Sequence, residues 1–302
     1  MKSLAPSVTT RDPKGQKFIS IVDAAYNKAG LSDEEAQNVN DTAGLSALVS
    51  KFIADSRSPK LYADEEVSSR YGYLSGYAKP KGAMWQANEL RRLFPAINAS
   101  NARHDEKLAQ MSVPEGAEGL FVIPTWQSFA KLHGVSTYTE AVQIVLAKLN
   151  ETRKGKFYNY RENEMSPDNL RESARKAEVM EQIAQSQKGY DLMVIPAQFG
   201  LVHRGRSVRR ARVVIGSKGF GLGAFEIGVM LLTHPERLQH YDDLYVDCAG
   251  DEFKPGDEHE FSNAPFFDFC GGELGFGALR VDGARGVYGS ASGFLPAVIL
   301  AA

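Results

Sequence analysis

Apolar residues recur at helical spacing through the first third of the chain. Between residues 18 and 26 they stand three to four positions apart, and Gly30 follows as a stop signal. Ser32, followed three residues later by Glu35, has the capping-box pattern that opens a helix. These patterns predict two successive helices near the start of the chain.

The same helical period returns twice before residue 112. Apolar stripes cover residues 45–53 and 84–94, and Pro95 ends the second of them. We therefore expect a helical N-terminal region over residues 1–112.

Two short apolar runs farther along the chain share one pattern. Gly119–Pro124 and Asp191–Pro196 both end in Val-Ile-Pro, and each reads as a buried strand because proline cannot continue a central ladder. Helices predicted between them make a strand–helix–helix–strand order, which predicts a crossover with parallel strands. Residues 113–215 are accordingly expected to form a mixed α/β core.

Capping patterns place the two intervening helices. Thr137 and Glu140 form a capping box before an apolar stripe. Ser166 followed by Pro167 predicts an N-cap with proline at the first helical position, so the second helix is expected over 167–188.

Glycine becomes frequent in the last third of the chain, where residues 216–302 hold 15 of the 28 glycines. The apolar segment 222–232 predicts a buried helix. Strand-like segments separated by Gly-Gly and Asp-Gly turn signals then predict a small antiparallel sheet; they cover residues 243–248, 265–270, 274–281 and 287–290.

The expected fold class is therefore α/β or α+β. It comprises an N-terminal helical region (1–112), a mixed α/β core (113–215) and a Gly-rich, β-containing C-terminal part (216–302). The last two parts can equally be one domain over 113–302.

Composition limits the classes of function. The chain has 302 residues and a formal net charge of −2, so any phosphate or nucleic-acid site must be a local patch. Its two cysteines, the lack of a secretory pattern at the start and the absence of a membrane-length apolar run predict a cytoplasmic protein without a membrane partner.

A dense run of arginines is the main local patch of charge. Arginine forks suit phosphate oxygens, and a cluster of them requires an anion nearby. The predicted phosphate-binding residues are Arg204, Arg206, Arg209, Arg210 and Arg212. The alternatives are that these arginines form a solvated basic face or that they pair within the fold with the acidic segment at 242–260.

A glycine-rich turn follows the arginines. Gly219, Gly221 and Gly223 fit a permissive dinucleotide fingerprint after a possible strand at Arg212–Ile215, and Asp247 stands near the position of a ribose ligand. The alternative is that these small residues allow a helix to pack closely.

The acidic segment supplies candidate oxygen ligands for a hard cation, although its spacing matches no calcium loop. The candidates are Asp247, Asp251, Glu252 and His259. A solvated acidic loop is the alternative, and the sequence identifies no cofactor and no catalytic residue.

Two segments, 70–81 and 154–161, interleave tyrosines with cations. Tyrosine faces stack on bases and nearby cations hold phosphates, so both segments are candidate nucleic-acid contacts. Packing connectors or subunit contacts would show the same composition.

Three segments, 193–212, 234–238 and 288–296, resemble segments of bacterial hypothetical proteins of no assigned function. The resemblance implies a bacterial or phage-related source and no catalytic role.

The leading hypothesis is a binding protein that contacts phosphate, on a nucleotide or nucleic acid, through the arginine segment. The second is a self-assembling structural protein, a homo-oligomer that uses its segregated arginine and acidic blocks between subunits. The third is a dinucleotide-dependent enzyme, so the sequence leaves open whether the protein is an enzyme.

Overall fold

The structure, a computed structural model, divides the chain into two compact units, Met1–Ser56 and Arg57–Ala302. The residues that it describes are 13–42, 44–46, 48–49, 60–97, 112–189, 191–256 and 258–295.

The first unit contains helices α1 (Pro13–Ala29) and α2 (Asp33–Asn40). Gly30 follows α1 with a φ of 62°, the left-handed conformation expected after a helix. Ser32 and Glu35 form the predicted capping box, which is thereby confirmed. The predicted stripe at 45–53 lies partly outside the described residues.

The second unit contains six further helices among the described residues. Their bounds are α3 (Ala83–Leu93), α4 (Trp126–Leu132), α5 (Tyr138–Thr152), α6 (Ala174–Ser186), α7 (Val208–Ile215) and α8 (Ala224–Thr233). The capping box at Thr137 is confirmed. The buried helix predicted over 222–232 is also confirmed, as α8. Leu90 of α3 lies in the core of this unit, so the region predicted as 1–112 is divided between the two units.

The helix predicted over 167–188 begins later than expected. Residues 170–172 form a strand instead, because Leu170 pairs with Phe253 from a distant part of the chain. Ser173, and not Ser166, is the N-cap of α6, and its side chain accepts a hydrogen bond from the backbone of Lys176. The predicted start was therefore wrong.

Eleven strands form two sheets in the described part of the chain. They are β1 (Gly119–Pro124), β2 (Phe157–Asn159), β3 (Leu170–Glu172), β4 (Leu192–Gln198), β5 (Gly219–Gly221), β6 (Tyr245–Asp247), β7 (Asp251–Phe253), β8 (Asn263–Cys270), β9 (Glu273–Arg280), β10 (Tyr288–Ser290) and β11 (Ser292–Phe294). Together with the helices they give an α/β fold, as predicted.

The first sheet has the order β1-β4-β11-β5 and is antiparallel throughout. Its β1 and β4 are the two predicted Val-Ile-Pro strands, and they do pair, with Phe121 opposite Ile195. They run antiparallel, so the predicted parallel crossover was wrong. The connection between them passes through β2 and β3 of the other sheet. It is therefore not a simple helical crossover, and the rule that such a crossover joins parallel strands does not apply.

The second sheet is built around the β8–β9 hairpin, which Gly271 and Gly272 close with positive φ angles. β6 and β7 pair with β8, while β2 lies beside β9. β10 runs parallel to β6, and β3 pairs with β7. The predicted strands are present, and those at 243–248, 265–270 and 274–281 pair antiparallel as expected. The segment predicted at 287–290 pairs parallel to β6, so its expected direction was wrong, and the sheet is a mixed one of seven strands.

Helix α8 is buried along its whole length and packs against α5. Close packing depends on Gly228, since a Cβ there would lie 2.5 Å from Val145 Cγ1. Inward residues of the second sheet, including Val246, Phe267 and Phe276, join the same core, which leaves the opposite face of that sheet for other contacts.

Candidate functional site

The arginine segment leads into α7 and carries Arg209, Arg210 and Arg212 on that helix, where two of these cations meet glutamates. Ser207 caps the helix, and Arg209 binds Glu65 with Nε 2.8 Å from Oε1. Arg210 Nε lies 2.5 Å from Glu66 Oε1. These arginine hydrogen bonds hold the pKa of both glutamates below its usual range.

The other three arginines also have partners within the chain. Arg206 Nε lies 3.3 Å from Glu66 Oε2, and Arg204 donates to the Tyr71 carbonyl oxygen over 3.1 Å. Arg212 donates to the backbone oxygens of residues 249 and 251. Arg212 thus reaches the acidic segment through backbone carbonyl groups, and the phosphate-binding hypothesis stays a prediction.

The residues of the glycine-rich turn pack closely against neighbouring parts of the chain. The residues expected as its strand, Arg212–Ile215, belong to α7, so that expectation was wrong. Gly219 and Gly221 lie in β5, where a Cβ on Gly221 would be 2.4 Å from the Ala249 carbonyl carbon.

Carboxylates already fill the N-terminus of α8. Asp251 Oδ2 accepts from Ala224 N over 2.7 Å, and Glu226 Oε2 accepts from Gly223 N over 2.9 Å. A dinucleotide phosphate would need the same amide groups. The predicted cofactor-binding glycines therefore serve here as close-packing positions.

These carboxylates surround a buried lysine. Lys176 Nζ lies 2.8 Å from Glu226 Oε2, 3.1 Å from Asp251 Oδ1 and 3.3 Å from Glu172 Oε1. Tyr138 donates its hydroxyl to Asp251. Burial alone lowers the pKa of Lys176, but the charges of Asp251 and Glu226 raise it above its ordinary value.

The candidate metal ligands are separated by these contacts. Asp251 belongs to the lysine network, whereas Glu252 pairs with Arg171. Within the described ranges no group of three or more histidine, cysteine, aspartate or glutamate residues could hold a metal ion.

The first tyrosine-rich segment is structural in its central part. Tyr73 and Tyr77 donate their hydroxyls to Glu118, and Arg237 stacks over the Tyr73 ring at 3.7 Å. The second segment reaches the outer face of the second sheet, where Tyr158 and Tyr160 are 52% and 53% exposed.

That outer face carries a row of polar and aromatic side chains because residues alternate between the two faces of a strand. Tyr288 is opposite Tyr245, and Gly275 lies between Asp268 and Tyr158. The β6–β8 register pairs Val246 with Phe267, so one step along it Tyr245 faces Asp268.

A second row lies beside the first. Ser290 is opposite Asp247, Asp247 is opposite Phe266, and Phe266 is opposite Gly277. Asp247 and Asp268 are thus diagonal neighbours on adjacent strands, a relation that places backbone positions roughly 7–8 Å apart and Cβ atoms somewhat closer. We call this surface the tyrosine–aspartate face; it is defined by Tyr158, Tyr160, Tyr245, Asp247, Asp268 and Tyr288.

Glycines in β9 make room for the larger side chains of this face. A Cβ on Gly275 would lie 2.1 Å from Asp268 Oδ1 and 3.1 Å from Tyr160 Cε2. The carboxylate and the edge of the tyrosine ring therefore share the space above this glycine. A Cβ on Gly277 would meet the Phe266 ring at 2.6 Å in the same way.

Buried acceptors on this face lack partners. Asp268 Oδ1 and Ser290 Oγ have no hydrogen-bond partner in the described structure, and their residues are 9% and 0% exposed. Burial raises the pKa of Asp247 to about 7, opposed by the charge of Arg285, and burial also raises the pKa of Asp268. Polar groups buried in this way are normally satisfied, so the face has unused hydrogen-bonding capacity.

Helix α7 closes one end of the same outer face. Its Val208 packs with Ala249, Ala264 and Val281 in a small second cluster. The arginine segment is therefore the structural neighbour of the tyrosine–aspartate face, and the open part of the face begins beyond it.

Sequence reasoning found part of this site. Asp247 was a candidate for another role, and Tyr158 and Tyr160 belonged to a candidate nucleic-acid contact. Asp268, Tyr245 and Tyr288 were missed, although an aspartate between aromatic residues in a predicted strand was a usable signal.

Comparison of the chain with protein-family models, curated proteins and solved structures gave no match. Among the described helices none combines the length and hydrophobicity that a bilayer span requires.

Proposed function

We propose that the protein is a binding protein whose ligand docks on the tyrosine–aspartate face. The observation that carries this proposal is the unpartnered buried oxygen of Asp268, beside a second buried carboxylate and between tyrosine rings. A ligand that donates hydrogen bonds to these oxygens would supply the interaction they lack.

Aromatic side chains favour this surface for binding. Tyr158 and Tyr160 contact each other edge to face with centroids 4.7 Å apart, and Tyr245 and Tyr288 do so at 5.3 Å. Such rings present large apolar area together with hydroxyl groups, which suits them to recognise ligands with both apolar and polar parts.

A panel of small hydrogen-bond donors, including amines, guanidines, sugars and polyols, tests the proposal by thermal shift and calorimetry. At least one class should raise the melting temperature of the wild type, because a ligand bound only by the native state stabilises it. The double variant Asp247→Asn, Asp268→Asn should lose most of that shift.

Asp168→Asn is the matched control, since Asp168 is an exposed aspartate in the turn before β3. It should respond to the panel as the wild type does. The proposal fails if no class binds at millimolar concentration, or if the double variant binds as well as the wild type.

Phosphate contact by the arginine segment, self-assembly and dinucleotide chemistry stay predictions. The partners of the five arginines and the filled N-terminus of α8 support the tyrosine–aspartate face over the first and third of these.

A further inference from the structure

We propose that the ligand of the tyrosine–aspartate face is an organic cation, an ammonium or guanidinium group held by Asp247 and Asp268 against the tyrosine rings. The inference rests on the proposed function and names its ligand class. It concerns side chains on and beside β2, β6, β8 and β10, none of which contacts Lys176 in the buried lysine network.

Charge is the first argument. Two carboxyl groups are buried on one face, and Arg285 is the cation whose charge acts on Asp247. Tyr160, Tyr245 and Tyr288 face the site, and burial raises the pKa of each, so they carry no charge at neutral pH. Further titratable groups act on Tyr160 and Tyr245, and none of them is a cation; they are Tyr71, Tyr158, Asp242, Cys270 and Glu273. A buried carboxylate is costly unless it is paired, so a cation satisfies both its charge and its lone pairs, whereas a polyol satisfies the lone pairs alone.

The surrounding rings are the second argument. A cation over a tyrosine face gains an attraction that strengthens when water is excluded. Arg285 already lies with Cζ 5.8 Å from the Tyr288 centroid, which shows how a guanidinium approaches the rim of this face. Aromatic neighbours favour an organic cation over a metal ion, which would need several oxygen or nitrogen ligands at short distance.

Arg285 is exposed and forms no ion pair with Asp247 within the described residues. It therefore stands at the rim as a competitor for the same carboxylates. Removing its charge should leave the site more attractive to an external cation.

Binding should release a proton. With a pKa of about 7, Asp247 is about half protonated at neutral pH, and a bound cation favours its ionised form. About a tenth of the sites would be ionised at pH 6 and about nine tenths at pH 8, so affinity should rise about tenfold between them.

Isothermal titration with agmatine provides the test, and erythritol serves as a neutral comparison. Agmatine keeps both its guanidinium and its ammonium charge between pH 6 and 8, so a change in affinity reports the protein. We expect agmatine to bind about tenfold more tightly at pH 8 than at pH 6. Titrations at pH 7 in two buffers of different ionisation enthalpy should show proton release, and erythritol should not bind measurably.

Variants separate the contributions. Asp247→Asn should weaken agmatine binding and remove most of its pH dependence. Arg285→Gln should strengthen binding several-fold at pH 8, where Asp247 is mostly ionised, and Asp168→Asn should change neither property. Melting temperatures recorded beside each titration establish that every variant is folded.

Each contrary result has a distinct meaning. Erythritol binding without agmatine binding overturns the cation inference and leaves the proposed function standing. Agmatine binding that is equal at pH 6 and pH 8, or that is weaker at pH 8 in Arg285→Gln than in the wild type, also overturns the inference. If neither compound binds, the inference is overturned and the wider panel decides the proposed function by itself.

Discussion

Asp247 is destabilising when it is ionised, because burial raises its pKa to about 7 from an ordinary value of 3.8. The folded state therefore holds this proton more tightly than the unfolded state does. The resulting contribution to stability is present below the unfolded pKa and is lost as the pH rises toward 7.

Replacing Asp247 with asparagine should remove this loss. We expect the free energy of unfolding of Asp247→Asn, measured relative to wild type, to be about 2–3 kcal/mol higher at pH 8 than at pH 5, because each pKa unit is worth about 1.4 kcal/mol. Urea unfolding at both pH values, with Asp168→Asn as control, measures the difference. An equal effect of the substitution at pH 5 and pH 8 would contradict the expectation.

Single residues also show which parts of the site could be predicted from the sequence. Asp247 stood out because it was an acid after a short apolar strand. The role of Gly275 was not readable, since the need for a small residue arises from Asp268 and Tyr160, which reach the same space from different strands. Lys176 left a usable signal, because it shares the buried helical stripe of Val179, Met180 and Ile183.

Helix α7 is held by an earlier segment of the same unit. Ser207 donates to Glu65 over 2.6 Å, and Val67 N donates to the Gly205 carbonyl oxygen over 2.8 Å. Together with the arginine–glutamate pairs, these contacts attach residues 65–67 to the arginine segment. Arg209 and Arg210 are consequently paired with glutamates of the same chain, and an external anion would have to compete with these pairs.

Neutralising the two glutamates should free the arginines for external anions. We expect the double variant Glu65→Gln, Glu66→Gln to elute from heparin at higher salt than the wild type, because unpaired arginines gain phosphate-like or sulfate-like partners. Adding Arg209→Gln to that variant should reverse part of the gain. Identical elution of wild type and double variant would show that the ion pairs do not limit anion binding.

Elements set by local chemistry were predicted best. The capping boxes at Ser32 and Thr137 depend on side chains three residues apart, and both are present. The start of α6 was predicted wrongly because residues 170–172 are set by a partner strand some 80 residues away. The direction of β4 against β1 likewise depends on the whole path between them.

At the scale of the whole molecule, the lysine network joins the second sheet to three helices. Lys176 on α6 meets Asp251 on β7, Glu226 on α8 and Tyr138 on α5. Burial raises the pKa of Glu226, while the charge of Lys176 opposes that rise. Loss of the Lys176 charge would leave Glu172, Glu226 and Asp251 without the ammonium group that they share.

Lys176→Met should therefore lower the free energy of unfolding by about 3–5 kcal/mol, as expected when one partner of a buried ion pair is lost. Glu226→Gln should cost less than about 1 kcal/mol, since its amide oxygen can face Lys176 and its amide group can occupy the position of the unpartnered Oε1. Urea unfolding of both variants measures the contrast. Equal losses of unfolding free energy in the two variants would show that the stability of the network depends on side-chain packing and not on the charge of Lys176.

The central position of β11 in the first sheet has a consequence for synthesis. β11 lies between β4 and β5, yet it is made roughly a hundred residues after β4. At ordinary rates of translation, about 5–20 s pass between the synthesis of β4 and that of β11, and during this time the edge of β4 can pair with other chains. Vectorial synthesis thus delays the closure of the sheet until its last strand has emerged, and a chaperone that shields the β4 edge during this interval should raise the yield of folded protein.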